Sequence, residues 1–260
     1  MEHLNLSANY FGGTVPAAVA GLPGLRSLLL DNNQFSGAYP AAEISKLAGL
    51  EQLTLALNPF APAPAPLEFA KLTNLSYLWM SGMNITGEIP KAYSSLVNLQ
   101  LIAITDNNLT GEIPAWVWQH PKLENLYLFN NGLTGTLPRK ITSVNLIELD
   151  VSSNQLTGAI PEDIGDLKNL IILFMYTNQL SGAIPASIAF LPNLRDIRLF
   201  ENKLSGELPA ELGKHSPLGN LEVCDNNLSG PLPESLCTNG ALYGLVVFNN
   251  NFSGQLPKSL

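Results

Sequence analysis

Basic residues are scarce in this chain: 13 lysines and arginines stand against 21 aspartates and glutamates, a formal net charge of -8. An acidic chain has no electrostatic hold on a phosphate backbone, so nucleic acid is excluded as a partner. Charged residues of both signs reach only 13% against 46% apolar, a proportion that suits stacked units burying their core against neighbours of the same kind. Long apolar runs are missing as well, since none approaches the ~18–20 residues that a membrane helix needs. The N-terminus, Met1-Glu2-His3-Leu4-Asn5, has neither a basic region nor an apolar stretch and does not read as a secretory signal. Cysteine occurs only twice. Cys224 lies one residue beyond the inward Val223 of a strand, whereas Cys237 follows Leu236 on the far side of the same coil. A disulfide needs Cα atoms within roughly 7 Å, so both are expected to be free thiols. Catalytic patterns are lacking too, with no supported Ser/His/Asp set, carboxylate pair or phosphate loop. His120 and His215 each stand where other repeats place a convex-side leucine, four repeats apart, and His3 is remote, so no metal site and no cofactor are expected.

What is present is a repeat. Eleven times the chain spells a variant of L-x-x-L-x-L-x-x-N-x-L-x-G-x-I-P, most plainly as Leu170, Leu173, Met175, Asn178, Leu180, Gly182, Ile184 and Pro185. The pivotal position falls on Asn9, Asn33, Asn58, Met83, Asn107, Asn131, Asn154, Asn178, Asn202, Asn226 and Asn250, spaced by 23 to 25 residues. A period in this range marks a leucine-rich-repeat solenoid. The pattern runs over residues 1–260 without a linker, which predicts one domain of eleven units.

In each unit the L-x-L pair, for example Leu126 and Leu128, points inward while the intervening residues point out, the period of two of a strand. Successive units then pair in parallel, giving an α/β right-handed solenoid with one long parallel sheet on the concave face and short 3-10 or helical turns on the convex face. The pivotal Asn is expected to satisfy backbone groups of the turn that no ladder reaches. Downstream, Leu180 and Ile184 point inward, Gly182 permits a conformation closed to other residues, and Pro185 opens a helical turn. Three units depart from the rule. Repeat two carries an extra residue in Pro40–Ile44, and repeat six is one short near Ser143 and Val144. Repeat three replaces the Gly-containing segment with Pro59-Phe60-Ala61-Pro62-Ala63-Pro64-Ala65-Pro66, whose prolines cannot donate ladder hydrogen bonds. The second, smaller sheet is expected to break there.

The L-x-G-x-I-P segment after the Asn resembles the plant-specific class of leucine-rich repeat found in receptor kinases and receptor-like proteins. More narrowly, Asn58-Pro-Phe-Ala-Pro, Leu78-Trp-Met with Met83 for Asn, Leu128-Phe-Asn-Asn, Leu199-Phe-Glu-Asn and Leu236-Cys followed by Gly240 are similar to ectodomains of HAESA-like receptor kinases. The resemblance implies an extracellular module that binds a short secreted peptide along its concave face, recruits a leucine-rich-repeat co-receptor kinase, and activates a cytoplasmic serine/threonine kinase. The chain departs from that plan: it carries no cysteine-paired cap at either end, no membrane helix and none of the kinase signatures, a glycine-rich loop, H-R-D or D-F-G. It therefore reads as a sensing segment on the extracellular face of the plasma membrane in a larger parent, and not itself as an enzyme.

The outward strand positions are where packing leaves residues free. One column reads Asn5, Leu29, Thr54, Trp79, Ala103, Tyr127, Asp150, Phe174, Arg198, Glu222 and Val246. The next reads Ser7, Asp31, Ala56, Ser81, Thr105, Phe129, Ser152, Tyr176, Phe200, Cys224 and Phe248. Trp79, Tyr127, Phe129, Phe174, Tyr176 and Phe200 make an exposed aromatic track bordered by Asp150, Arg198, Glu201 and Glu222, and such rings near arginine are what binding hot spots are made of. The track is the expected peptide-binding site, with Asp150, Arg198 and Glu222 as its charged members. Strands repeat every ~4.8 Å, so repeats four to nine span about 25 Å and match roughly seven or eight extended residues. The bland alternative is that the rings reflect β-propensity and cross-strand packing. Arg198 is placed either to hold a local ion pair with Asp150 or Glu222 or to meet an acidic peptide group.

Six sequons occur, at Asn5, Asn74, Asn84, Asn108, Asn227 and Asn251. All but Asn5, which sits on the inner strand, are candidate glycosylation sites. A soluble inhibitor of the polygalacturonase-inhibiting kind is the alternative function, since those proteins resemble these repeats in class and length but carry cysteine-paired caps. An ice-binding surface would need regular ranks of Thr or Asn, and the columns are too irregular. Leu4, Leu6 and Phe11 at one end, and Leu245, Val247 and Phe252 at the other, are expected to lack stacking partners, with fraying or self-association as the consequence.

Overall fold

The computed structural model describes all residues, 1–260. The chain divides into two compact units, Met1–Gly132 and Leu133–Leu260. In the first, six three-residue strands follow one another: β1 (His3–Asn5), β2 (Ser27–Leu29), β3 (Gln52–Thr54), β4 (Tyr77–Trp79), β5 (Leu101–Ala103) and β6 (Asn125–Tyr127). Each pairs in parallel with the next in a register of one repeat, so Leu4, Leu28, Leu53, Leu78, Ile102 and Leu126 line up in one column. From Leu28 to Leu126 these side chains are 0–1% exposed, each worth ~1.5–3 kcal/mol of burial.

The second unit repeats the arrangement with β7 (Glu148–Asp150), β8 (Ile172–Phe174), β9 (Asp196–Arg198), β10 (Asn220–Glu222) and β11 (Gly244–Val246). Here the inward column runs through Leu149, Leu173, Ile197, Leu221 and Leu245. Both units are stacks of leucine-rich repeats with a parallel sheet and short return helices. Leu4, Leu6, Leu245, Val247 and Phe252 are half-buried and Phe11 is exposed, unlike their counterparts elsewhere in the columns.

Every repeat leaves its strand through a residue in the left-handed region immediately before the pivotal position. Asn32, Asp106, Asn130, Thr177, Glu201 and Asp225 all have φ between 51° and 56°, and in repeat four Gly82 takes the place at 62°. The pivotal Asn fixes this turn. The Nδ2 of Asn202 donates to the carbonyls of Met175 (3.0 Å), Leu199 (3.1 Å) and Phe200 (3.3 Å), while its Oδ1 accepts from the Leu180 N–H at 2.9 Å. The same arrangement recurs from Asn33 to Asn250, so the structural role expected of this residue is what the hydrogen bonds show.

Met83 cannot make these bonds, and its surroundings are rerouted. The Phe60 N–H turns to the Asn58 carbonyl (2.8 Å) and the Met83 N–H to Asn107 Oδ1 (3.0 Å), while the Leu55 and Met80 carbonyls keep the bonds (both 2.9 Å) that Asn58 and Asn107 supply as any pivotal Asn does. With no polar group left wanting, a fully buried thioether fits.

Prolines precede the return helices as expected. Pro16, Pro66, Pro90, Pro161 and Pro185 sit at the N-caps of five-residue 3-10 helices. Repeat two, with its extra residue, returns through the α-helix Ala41–Ile44, but repeat five at ordinary length also forms one, Ala115–Trp118, and the shortened repeat six has no helix between Tyr127 and Glu148. The second sheet is interrupted on the near side of the proline run: Gly12–Gly13 pairs with Gln34–Phe35, and only an isolated Gly37–Phe60 bridge follows. The run itself does not end the pairing, because Ala63–Pro64 joins Ile85–Thr86 in parallel. Tyrosine hydroxyls cover carbonyls of this run, Tyr39 donating to Pro64 at 2.5 Å and the fully buried Tyr93 to Pro66 at 3.0 Å.

Candidate functional site

In the first unit, outward-facing residues of different size alternate along the sheet. Ala103 on β5 lies in register between Trp79 on β4 and Tyr127 on β6. Strands repeat every ~4.8 Å, so a methyl group between two large rings leaves a slot about two strand spacings wide. The next outward positions, Ser81 and Thr105 beside Phe129, continue it. The result is a hollow of 420 Å³ lined by these residues with Leu57, Tyr77, Leu101 and Asp106. A second hollow of 290 Å³ shares Tyr77 and Trp79 and extends to Leu29, Gln52, Thr54, Ser7 and Asp31. Trp79, Tyr127 and Phe129 are half-buried, rings with one face in packing and one toward solvent.

The second unit presents a ring surface in place of a slot. Tyr176 and Phe200 stack with centroids 4.5 Å apart and planes 10° from parallel, and Phe174 tilts against Tyr176 at 6.2 Å. The Arg198 guanidinium lies 4.6 Å over the Phe174 ring, a cation–π arrangement. Both carboxylate oxygens of Asp196 hold that guanidinium, at 3.0 and 3.2 Å, and Glu222 adds a contact at 3.6 Å. Asn220 ties the two acids together, donating to Asp196 at 3.0 Å and to Glu222 at 2.8 Å. The Asp196 hydrogen bond raises the Arg198 pKa further above its ordinary value. Of the two roles open to Arg198, the local ion pair is the one formed, and its main partner is Asp196.

Asp150 does not border the track as expected. It is 8% exposed, and its Oδ1 accepts from the Ser152 N–H (3.0 Å) and hydroxyl (2.5 Å). Burial raises its pKa, opposed by the Ser152 bonds and then by Arg198. A small Ser at the next outward position lets the carboxylate fold back onto its own strand, so Asp150 braces the turn and presents little surface outward.

The two outward columns read from the sequence omit a third, one step upstream with the same period of two. It holds Tyr77, Asp196 and Asn220, all of which shape the surfaces just described. Ala103, too small to draw notice, makes the slot. Among the sequons, Asn108, Asn227 and Asn251 are exposed on the short strands of the second sheet. Asn74 and Asn84 are exposed too, but their side chains donate to the Ala48 carbonyl at 2.9 Å and the Phe60 carbonyl at 3.0 Å. Cys224 is buried and Cys237 half-buried, both free thiols. His120 is buried, with Nε2 at 3.0 Å from the Leu96 carbonyl and Nδ1 accepting from Lys122 N–H. No helix is long and apolar enough to cross a membrane.

Similarity to known proteins agrees with the fold. The Leucine Rich Repeat family matches at residues 74–96, 122–144 and 145–167. No curated protein matches the chain in sequence. Among solved structures, the Arabidopsis receptor kinase HAESA in complex with the peptide hormone IDA and the co-receptor SERK1 superposes with a TM-score of 0.96 at 38% identity, covering 99% of this chain and 43% of that one. A TDR receptor follows at 0.95 and 35%, covering 100% and 45%. The plant peptide hormone receptor RGFR1 in complex with RGF2 gives 0.92 and 34%, covering 100% and 42%. The chain thus spans less than half the length of these structures. Its repeats, hydrogen-bonded asparagine turns and fold identify it as a leucine-rich-repeat chain of the plant receptor-kinase ectodomain class.

Proposed function

We propose that the chain is a ligand-sensing segment of a plant receptor-like kinase of the HAESA-like kind, binding a short secreted peptide on its concave strands. The observation that carries this reading is the slot over Ala103, walled by Trp79 and Tyr127. Stabilising the sheet does not require large half-exposed rings on either side of a methyl group, whereas an apolar peptide side chain entering the slot would bury both. The stacked Tyr176–Phe200 pair and Phe174 supply a second apolar surface in the other unit. The segment acts by binding and not by catalysis, and works at the extracellular face of the plasma membrane. A leucine-rich-repeat co-receptor kinase joins the bound state, as SERK1 does in the HAESA complex. Carbohydrate sits at Asn108, Asn227 and Asn251, whose amide groups make no hydrogen bond to the fold, and at Asn74 and Asn84 through the amide hydrogen left over.

Calorimetric titration with secreted-peptide candidates tests the reading. A bound peptide should lose ~10-fold or more in affinity on Tyr127→Ala, the scale of a buried aromatic anchor. If Tyr127→Ala and Phe174→Ala both leave every detected affinity unchanged, the rings are not the site.

A further inference from the structure

The charges around the slot point to the chemistry of its occupant. Along the outward strand positions of the first unit, and the turn position after them, the only carboxylates are Asp31 and Asp106, and no lysine or arginine occurs. Asp106 lines the slot itself, and Asp31 lines the adjoining hollow that shares Trp79. Neither carboxylate is neutralised by a cation. The Asp31 Oδ1 accepts from the Ser7 hydroxyl (2.7 Å) and the Thr54 hydroxyl, leaving Oδ2 without a partner. Asp106 accepts only from Asn130 (2.8 Å) and Thr105 (2.8 Å). In the second unit the one cation on the equivalent positions, Arg198, is taken up by Asp196 and Glu222.

We infer that the occupant of the first unit is a basic peptide, with an apolar side chain in the slot beside Trp79 and a lysine or arginine meeting Asp31. The inference rests on the peptide-binding reading above and names the ligand's charge and spacing. Asp31 follows β2 and Ala103, the floor of the slot, ends β5, so the two lie about three strand spacings, ~14 Å, apart. An extended chain running across the strands covers that distance in about four residues. Low-dielectric walls on one side of the hollows strengthen the attraction between a peptide cation and carboxylates that nothing else neutralises.

The test is selection of a library of random twelve-residue peptides on the intact chain, followed by calorimetry with synthetic copies of the enriched sequences. The inference expects enriched peptides to pair an apolar residue with Lys or Arg about four positions away. Ala103→Leu, which fills the slot from an outward position without removing any contact, should cost ~10-fold or more. Asp31→Asn, which keeps the acceptor for Ser7 and Thr54, should cost about fivefold, and the double Asp31→Asn/Asp106→Asn variant should flatten the salt dependence of binding. Cooperative thermal unfolding of each variant establishes that it is folded. Peptides that lose affinity on Ala103→Leu but show no basic enrichment and ignore both Asp→Asn changes overturn the basic-ligand inference and leave the peptide site standing. Peptides that bind Ala103→Leu and Trp79→Ala as tightly as the wild type overturn the peptide site, and this inference with it.

Discussion

Thr177 holds a left-handed backbone conformation, φ 51°, which other repeats assign to Asn32, Asn130 or Asn249. A β-branched side chain is poorly suited to that region, whereas Asn tolerates it. Thr177→Asn should therefore stabilise the fold by ~0.5–1 kcal/mol in urea unfolding, even though the Thr177 hydroxyl bond to Glu201 is lost from an exposed site. The pivotal asparagines behave oppositely. Asn107 donates to Met80 and Thr105 and accepts from Met83 and Ile85, all in buried surroundings. Asn107→Ala strands four backbone groups and should cost ~2–4 kcal/mol in the same assay. The sequence made this role plain because the side chain that ends the strand of each repeat, Asn in ten of eleven, must satisfy the same groups. It could not show how Met83 is accommodated, since the rerouting depends on the Phe60 N–H finding the Asn58 carbonyl.

At the level of elements, the inward columns and strand positions were legible because a period of two leaves only one face for leucine. The return segments were legible in outline, but their helix type was not, since an α-helix appears in repeat two with its extra residue and in repeat five without one. The effect of the proline run was only partly legible. Proline cannot donate, but Pro64 still accepts, and tyrosines from neighbouring repeats complete the bonding. Of the candidate site, the rings were readable and their surroundings were not: the withdrawal of Asp150 and the capture of Arg198 by Asp196 depend on side-chain directions that spacing does not specify. His120, just after the Ala115–Trp118 helix, offers a check on packing of the return segments. Burial is the largest influence on its pKa and lowers it, against a rise from the Leu96 carbonyl and a further lowering by Lys122. As pH falls below ~6.5 the unfolded chain takes up this proton first, so stability is full above that value and declines below it. His120→Leu, which restores the residue common at this place, should remove that part of the decline in a comparison of melting curves from pH 7.5 to 5.

For the molecule as a whole, the net charge of -8 and the bare carboxylates of the first unit bear on association more than on folding. A basic peptide should associate faster at low ionic strength, with the association rate falling as salt rises through the range where the Debye length shrinks from ~30 to ~8 Å. The Arg198 cluster, one guanidinium against the Asp196 and Glu222 carboxylates, leaves one net negative charge and should add a smaller dependence of the same sign. The central claim, that concave-face rings form a peptide site, is tested most directly by calorimetry of one library-selected peptide against the wild type and Trp79→Ala. The account predicts a negative heat-capacity change on binding, the mark of apolar burial, and a loss of ~10-fold or more in affinity for Trp79→Ala with its cooperative unfolding intact. Equal affinity for the two proteins would contradict it.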